Sequence, residues 1–142
     1  GIIGSAALDE PEFRSRAVEL DGDKIAVGID ARNGYVQTKG WVETTKTLAT
    51  ELATAVAKAG VKTIIYTDTA TDGMLGGPNL TQMAAICDAA PTCHITASGG
   101  VSSPFDLENL KALERPNLRA AIVGKALYDG RTTLKEMNVA AL

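Results

Sequence analysis

Three kinds of position in this chain are suited to moving a proton or holding an anion. Asp30 follows directly on the apolar run Ile25-Ala-Val-Gly-Ile29. A carboxylate at the end of such a run is partly removed from water, which raises its pKa and suits acid–base work near neutral pH. The same residue could equally be an exposed aspartate capping a loop. Thr67 closes a β-branched run, Thr63-Ile-Ile-Tyr-Thr67, just before Asp68. It could hydrogen-bond a neighbouring carboxylate or a substrate, or be a strand residue and nothing more. The third kind is glycine: Gly99-Gly100 after Cys93-His-Ile-Thr-Ala-Ser98, and Gly124 with Lys125 after Ala120-Ala-Ile-Val123. Without a Cβ, backbone N–H groups can approach an anion closely, and a helix N-terminus just beyond adds a favourable dipole. The rival reading is that these glycines only make tight turns. Trp41, the sole tryptophan, could stack on a planar ring or pack a hairpin. Cys93 and His94 are strand neighbours on opposite faces, a poor nucleophile–base pair. One histidine and two cysteines provide neither metal-ligand spacing nor a disulfide framework, and two reduced, half-buried thiols are the plain reading.

The elements around these positions alternate. Asp9 can cap a helix with Pro11 in its first turn and an apolar stripe of Phe13, Ala17 and Leu20. The run over 25–29 predicts a strand covered on both faces. Asn33-Gly34 signals a type I′ hairpin, and a helix is expected from about Thr45 to Ala59, with Leu48, Leu52, Val56 and Ala59 as its stripe and Gly60 past its end. Asn79 with Gln82, Ser103-Pro104 with Asp106, and Thr133 with Glu136 open three more helices, the last a terminal one. Strand–helix alternation predicts a parallel α/β sheet, in which ligands gather beyond the carboxyl ends of the strands. The residues found there are Gly4-Ser5, Asp30, Thr67-Asp68, Gly99-Gly100 and Gly124-Lys125.

Length and charge narrow the partners. The 142 residues make one domain, 1–142, and a net charge of −3 argues against nucleic acid. There is no run of 18 apolar residues to span a membrane and no secretory leader, so a cytoplasmic location is expected.

Six segments occur in order: Gly28-Ile-Asp-Ala-Arg-Asn-Gly34, Lys39-Gly-Trp41, Tyr66-Thr-Asp68, Asp72-Gly-Met-Leu-Gly-Gly-Pro-Asn79, Ala97-Ser-Gly-Gly-Val-Ser-Ser103 and Val123-Gly-Lys-Ala-Leu127. Together they closely resemble the ProFAR isomerases of histidine biosynthesis. The resemblance implies a (β/α)₈ barrel, which needs about 250 residues. The chain therefore corresponds to a partial barrel, from the end of strand 4 through helix 8. It also implies an Amadori rearrangement of an aminoaldose to an aminoketose, on a substrate with a phosphate at each end and with no metal or organic cofactor. Asp30 matches the general acid and Thr67 the threonine that supports it. Trp41 and Asp72 match substrate contacts. Gly73, Gly99, Gly100, Gly124 and Lys125 match one phosphate site. The partner base, an aspartate on strand 1, falls in the missing half, so the chain alone is expected to be inactive. Two unpaired strand edges and an apolar inner face would then call for that N-terminal half or a second copy. Two alternatives stay open: a dual-substrate isomerase that also serves tryptophan biosynthesis, and a non-catalytic phosphate-binding half-barrel.

Overall fold

The computed structural model describes residues 2–3, 19–20, 24–38, 40, 42–124 and 138–142. In chain order these form β1 (Ile2–Ile3), β2 (Glu19–Leu20), β3 (Lys24–Arg32), β4 (Tyr35–Gln37), β5 (Thr44–Leu48), α1 (Ala49–Lys58), β6 (Thr63–Asp68), α2 (Leu80–Ala89), β7 (His94–Ser98), α3 (Pro104–Lys111), β8 (Leu118–Val123) and β9 (Asn138–Ala141). β1, β3, β6, β7 and β8 run parallel in that spatial order. The long connections between β3, β6, β7 and β8 carry the helices, as parallel neighbours require. The expected parallel α/β architecture is present.

The register divides the sheet into two unlike faces. Cα partners on adjacent strands point the same way, and side chains alternate along each strand. Val27, Ile29, Ile64, Tyr66, Ile95, Ala97 and Ala121 therefore share one face, and all are buried in the main core with Leu52, Val56, Met83, Ile86 and Leu110 of the helices. Each large side chain there contributes roughly 1.5–3 kcal/mol by leaving water. The opposite face holds a separate, much smaller buried cluster of Ala26, Ile65 and Ile122. Around it lie half-buried Asp30, Thr63, Thr67, Thr96 and Ser98. This corrects two expectations. The run over 25–29 is not apolar on two equivalent sides, because Ala26 and Gly28 alternate with Val27 and Ile29. Nor is the face away from the helices a plain apolar surface.

Local chemistry explains the other elements. Asn33 (φ 53°) and Gly34 (φ 85°) both take left-handed backbone, as a type I′ turn needs, and Arg32 pairs with Tyr35. Helix α1 begins four residues later than expected. Thr44, Thr45 and Thr47 are β-branched and favour extended chain. Their segment pairs antiparallel with β4, and the Thr45 hydroxyl donates to the Val36 carbonyl at 2.7 Å. Leu48 is then an extended N-cap, more than a third exposed, while Ala49, Leu52, Ala53 and Val56 make the buried stripe. Asn79 caps α2 by accepting from the Gln82 N–H, and Ser103 and Asp106 form a reciprocal capping box on α3.

The sheet's margins differ most from expectation. β9 pairs antiparallel with β8 through Ala120–Ala141 to Val123–Asn138, so the β8 edge is not open. On the far side, β3 pairs with β2, β1 and β4 in turn. Residues 138–141 are thus a strand, and the capping-box residues of the anticipated terminal helix lie outside the described residues. So does most of the first expected helix; its last stripe residue, Leu20, belongs to β2. Both cysteines are fully buried rather than half-buried. Burial pushes the Cys87 thiol up to about 11, and the Cys93 thiol, also raised by burial, donates to the Val61 carbonyl at 3.1 Å. Among the described residues no helix is long and apolar enough to cross a membrane.

Candidate functional site

The ends of β3, β6 and β7 bring three polar side chains into one row. Asp30 is the Cα partner of Thr67, and Thr67 is the Cα partner of Ser98. All three are half-buried and lie on the face away from the helices. Gly28, two residues before Asp30 on the same face, has no side chain to crowd them. Asp72 completes the group from the β6–α2 loop. Its N–H donates to the Asp68 carbonyl at 3.0 Å, which folds the loop back over the strand end. Burial raises the Asp72 pKa above the ordinary carboxylate range, and the negative charge of Asp30 raises it further. Two carboxylates therefore feel each other here. One with a raised pKa can hold a proton at a pH where its partner is ionised, as acid–base chemistry needs.

Asp68 sits beside Thr67 but does a different job. It faces the opposite side of the sheet, is 2% exposed, and its Oδ1 accepts from the Ala70 and Thr71 N–H groups at 2.9 and 3.2 Å. It is the anchor of the loop that carries Asp72. The hairpin secures the same loop: the Thr69 N–H donates to the Ala31 carbonyl at 2.9 Å, and the Thr69 hydroxyl bonds to buried Gln37.

The glycines separate into two groups. A Cβ on Gly99 would lie 2.4 Å from the Asp68 carbonyl oxygen, and one on Gly100 would lie 2.6 Å from the Gly77 carbonyl oxygen. Both also have left-handed backbone, with φ of 98° and 79°. Close packing of the β6–α2 loop on the β7–α3 loop thus accounts for both glycines by itself. The Thr71 hydroxyl adds a bond across the same seam to the Gly99 carbonyl at 3.2 Å. Gly124 is unlike them. It is exposed, lies outside the left-handed region, and has no atom of the described residues within 4 Å of an added Cβ, while its N–H donates to the Val101 carbonyl at 3.0 Å. No packing demand from the described residues explains glycine at 124. Gly73 is exposed with φ 74°. The N-terminus of α3 already has an anion of its own: the buried Asp106 carboxylate accepts from the Ser102 and Ser103 N–H groups at 2.9 and 3.2 Å. Trp41, Lys125 and Gly4-Ser5 lie outside the described residues.

The structure therefore groups Asp30, Thr67 and Asp72, and places Gly99 and Gly100 in a seam beside them. Sequence reasoning missed Ser98 as a member of the row and Asp68 as an anchor. The Asp68-Thr-Ala-Thr71 spacing, in which an aspartate can accept from amides two and three residues on, was the available signal. Among the described residues, no cluster of three or more His, Cys, Asp or Glu could hold a metal ion.

Comparison with known proteins gives one consistent result. Residues 1–133 match the family model described as histidine biosynthesis protein. A relative from Listeria welshimeri is 53% identical over 136 residues, covering 96% of this chain and 55% of its own length. One from Bacillus subtilis is 46% identical over 95% of this chain and 55% of its own, and one from Trichodesmium erythraeum is 48% identical over 98% and 54%. All three are named as the imidazole-4-carboxamide isomerase of the ProFAR type. The chain spans about half the length of the curated relatives it matches.

Two outcomes follow from the geometry. Gly99→Ala should cost several kcal/mol in urea denaturation, because the new methyl meets a carbonyl oxygen and the backbone is strained as well. Gly60→Ala shares a left-handed φ, 93°, but has nothing within 4 Å, so it should cost only about 1 kcal/mol. Equal costs would contradict the packed seam. In Asp30→Asn, the Asp72 carboxyl should titrate at lower pH than in the parent, because one of the two causes of its raised pKa is gone. It should stay above the ordinary range, because burial remains. An unchanged titration, followed by carboxyl-carbon NMR, would show that the two carboxylates do not interact.

Proposed function

The chain belongs to the histidine biosynthesis protein family, and from that premise we propose that it forms the acid-bearing part of a ProFAR isomerase barrel. The observation that carries this reading is Asp30 beside Thr67, with Asp72 in electrostatic contact, on the sheet face the helices leave uncovered. The substrate is an aminoaldose joined to an imidazole carboxamide ribotide, with a phosphate at either end. The reaction is an internal redox exchange in which a C1 imine and a C2 alcohol become a C1 amine and a C2 ketone.

Asp30 donates a proton to the ribose ring oxygen, the C1–O bond breaks, and the nitrogen lone pair forms the Schiff base. A base then removes the proton at C2, giving the enolamine, and protonation at C1 with loss of the enol O–H proton from C2 gives the aminoketose. Thr67 steadies the Asp30 carboxyl from the adjacent strand. Asp72 meets the substrate from the loop above. Gly73, Gly99, Gly100, Gly124 and Lys125 take one terminal phosphate; that no described residue packs on Gly124 is in keeping with this. Trp41 stacks on the planar imidazole. The base belongs to the part of the relatives that this chain does not match, so turnover requires that part to be supplied. No metal or organic cofactor enters any step.

The test combines the chain with the unmatched part of the Listeria welshimeri relative and assays aminoketose formation. Asp30→Asn should lower kcat by at least about a hundredfold with little change in KM, because a proton donor is lost while the phosphates still bind. Thr67→Val should be milder, in keeping with one hydrogen bond worth about 0.5–1.5 kcal/mol. Asp68→Ala should lower thermal stability more than either, since two loop amides lose the buried acceptor that anchors them. In the chain alone, inorganic phosphate should shift the amide signals of residues 99, 100 and 124 first, and Gly124→Ala should weaken that binding without lowering Tm. A silent Asp30→Asn, or the largest phosphate shifts elsewhere, would overturn the assignment.

A further inference from the structure

We propose that Gln37 is a positioning residue: its buried amide ties the base of the β4–β5 connection, in which Trp41 lies, to the β6–α2 loop that carries Asp72. One side chain then sets two substrate contacts in a common frame. The inference rests on the reading above, in which Trp41 and Asp72 meet the substrate, and names what holds their segments together.

Burial is the first argument. Gln37 is only 4% exposed. An amide taken out of water costs free energy unless its hydrogen bonds are replaced. Methionine would fill a similar space without that cost, so the bonds, rather than the bulk, are what the amide supplies. Two of them lead to different segments. The Gln37 Nε2 donates to the Thr44 hydroxyl at 3.2 Å, and its Oε1 accepts from the buried Thr69 hydroxyl. Thr44 is the Cα partner of Gln37 on β5, whereas Thr69 follows directly on the end of β6.

Topology is the second. The strands run in the order β5, β4, β3, β6, so β4 and β6 share no backbone ladder. The Gln37–Thr69 bond bridges them past the intervening β3. Alternation from the Ala31–Val36 pair puts Gln37 on the side of the sheet that Asp30 occupies. The bridge therefore lies on the chemical side.

Both ends of the bridge are stiff. On the hairpin side, the Thr38 N–H donates to the Glu43 carbonyl at 2.8 Å, and the Glu43 N–H to the Thr38 hydroxyl at 2.9 Å. Residues 39–42 alone span the gap, Trp41 among them. A connection this short takes its position from its base. On the loop side, the Thr69 N–H is held by the Ala31 carbonyl, the Ala70 and Thr71 N–H groups by the Asp68 carboxylate, and the Asp72 N–H by the Asp68 carbonyl. Each amide from Thr69 to Asp72 is thus tied down, and a shift at Thr69 is passed on to Asp72 rather than absorbed.

The experiment follows two reporters in the full chain: the Asp72 carboxyl by carbon NMR, and the sole tryptophan, Trp41, by acrylamide quenching. Gln37→Met removes the amide's bonds and keeps its length. Thr69→Val removes the hydroxyl and keeps its shape. In both, Asp72 should titrate at lower pH than in the parent, because a loosened loop is better hydrated and further from the Asp30 charge. Trp41 quenching should change in both, although Thr69 lies on a different loop. Thr69→Ser, which retains the hydroxyl, should match the parent. Thr54→Val is the control. It removes a hydroxyl bond from α1 to the Ala89 carbonyl, 2.9 Å long, and should lower Tm while moving neither reporter. Should Gln37→Met fail to fold, Thr69→Val decides. A lower Tm with both reporters unmoved, a change in only one of them, or equal changes in Thr54→Val would each overturn the proposal. The proposed function would survive any of these, since it falls on turnover by Asp30→Asn instead.

Discussion

Which side chains can act together in this protein is decided by one register: β3 lies beside β6 with Asp30 level with Thr67. Shifted by one residue, Asp30 would face the helices and Ile29 the opposite side, and both core and site would be lost. The register is held by a strong difference between faces. Val27, Ile29, Ile64 and Tyr66 are each fully out of water on the helix side, against Ala26 and Ile65 on the other. Stability is thus concentrated on one face. The other is free to carry threonine, serine and aspartate, whose burial in a close-packed core would be costly.

The rim depends on this register in turn. Because Asp68 follows Thr67, its side chain points to the helix side and reaches the amides of its own loop, while Thr67 keeps the chemical face. The loop so anchored brings Asp72 back towards Asp30 and presses its backbone on Gly99, while Gly77 presses on Gly100. The two glycines thus have a structural reason independent of any ligand. Backbone packing of this closeness also fixes the position of neighbouring amides, so the two roles do not exclude each other.

Much of this was legible in the chain. Apolar runs ending in Thr67-Asp68 and Gly99-Gly100 located two strand ends, the run before Asp30 located a strand that in fact continues to Arg32, and Asn33-Gly34, Asn79 and Ser103 located a turn and two helix starts, because those signals are local and stereochemical. The misses needed information from elsewhere in the molecule. Thr44–Leu48 fits a helical stripe as well as a strand, and only β4 alongside, with the Thr45 bond to Val36, decides between them. Asn138–Ala141 has no strand signature, since two of its residues are alanine; the available edge of β8 makes it one. Gly99 and Gly124 look alike in sequence. One is packed on a carbonyl oxygen and the other meets no described residue, a difference that exists only after the loops meet.

If the β3–β6 register is what makes Asp30 and Thr67 one device, their effects on turnover cannot be independent. A double-mutant cycle on the reconstituted barrel, with Asp30→Asn, Thr67→Val and the double variant, measures this directly. The account predicts that, once Asp30 is asparagine, Thr67→Val slows kcat little further, because the threonine acts through the acid. Multiplicative losses, with no coupling between the two positions, would contradict it.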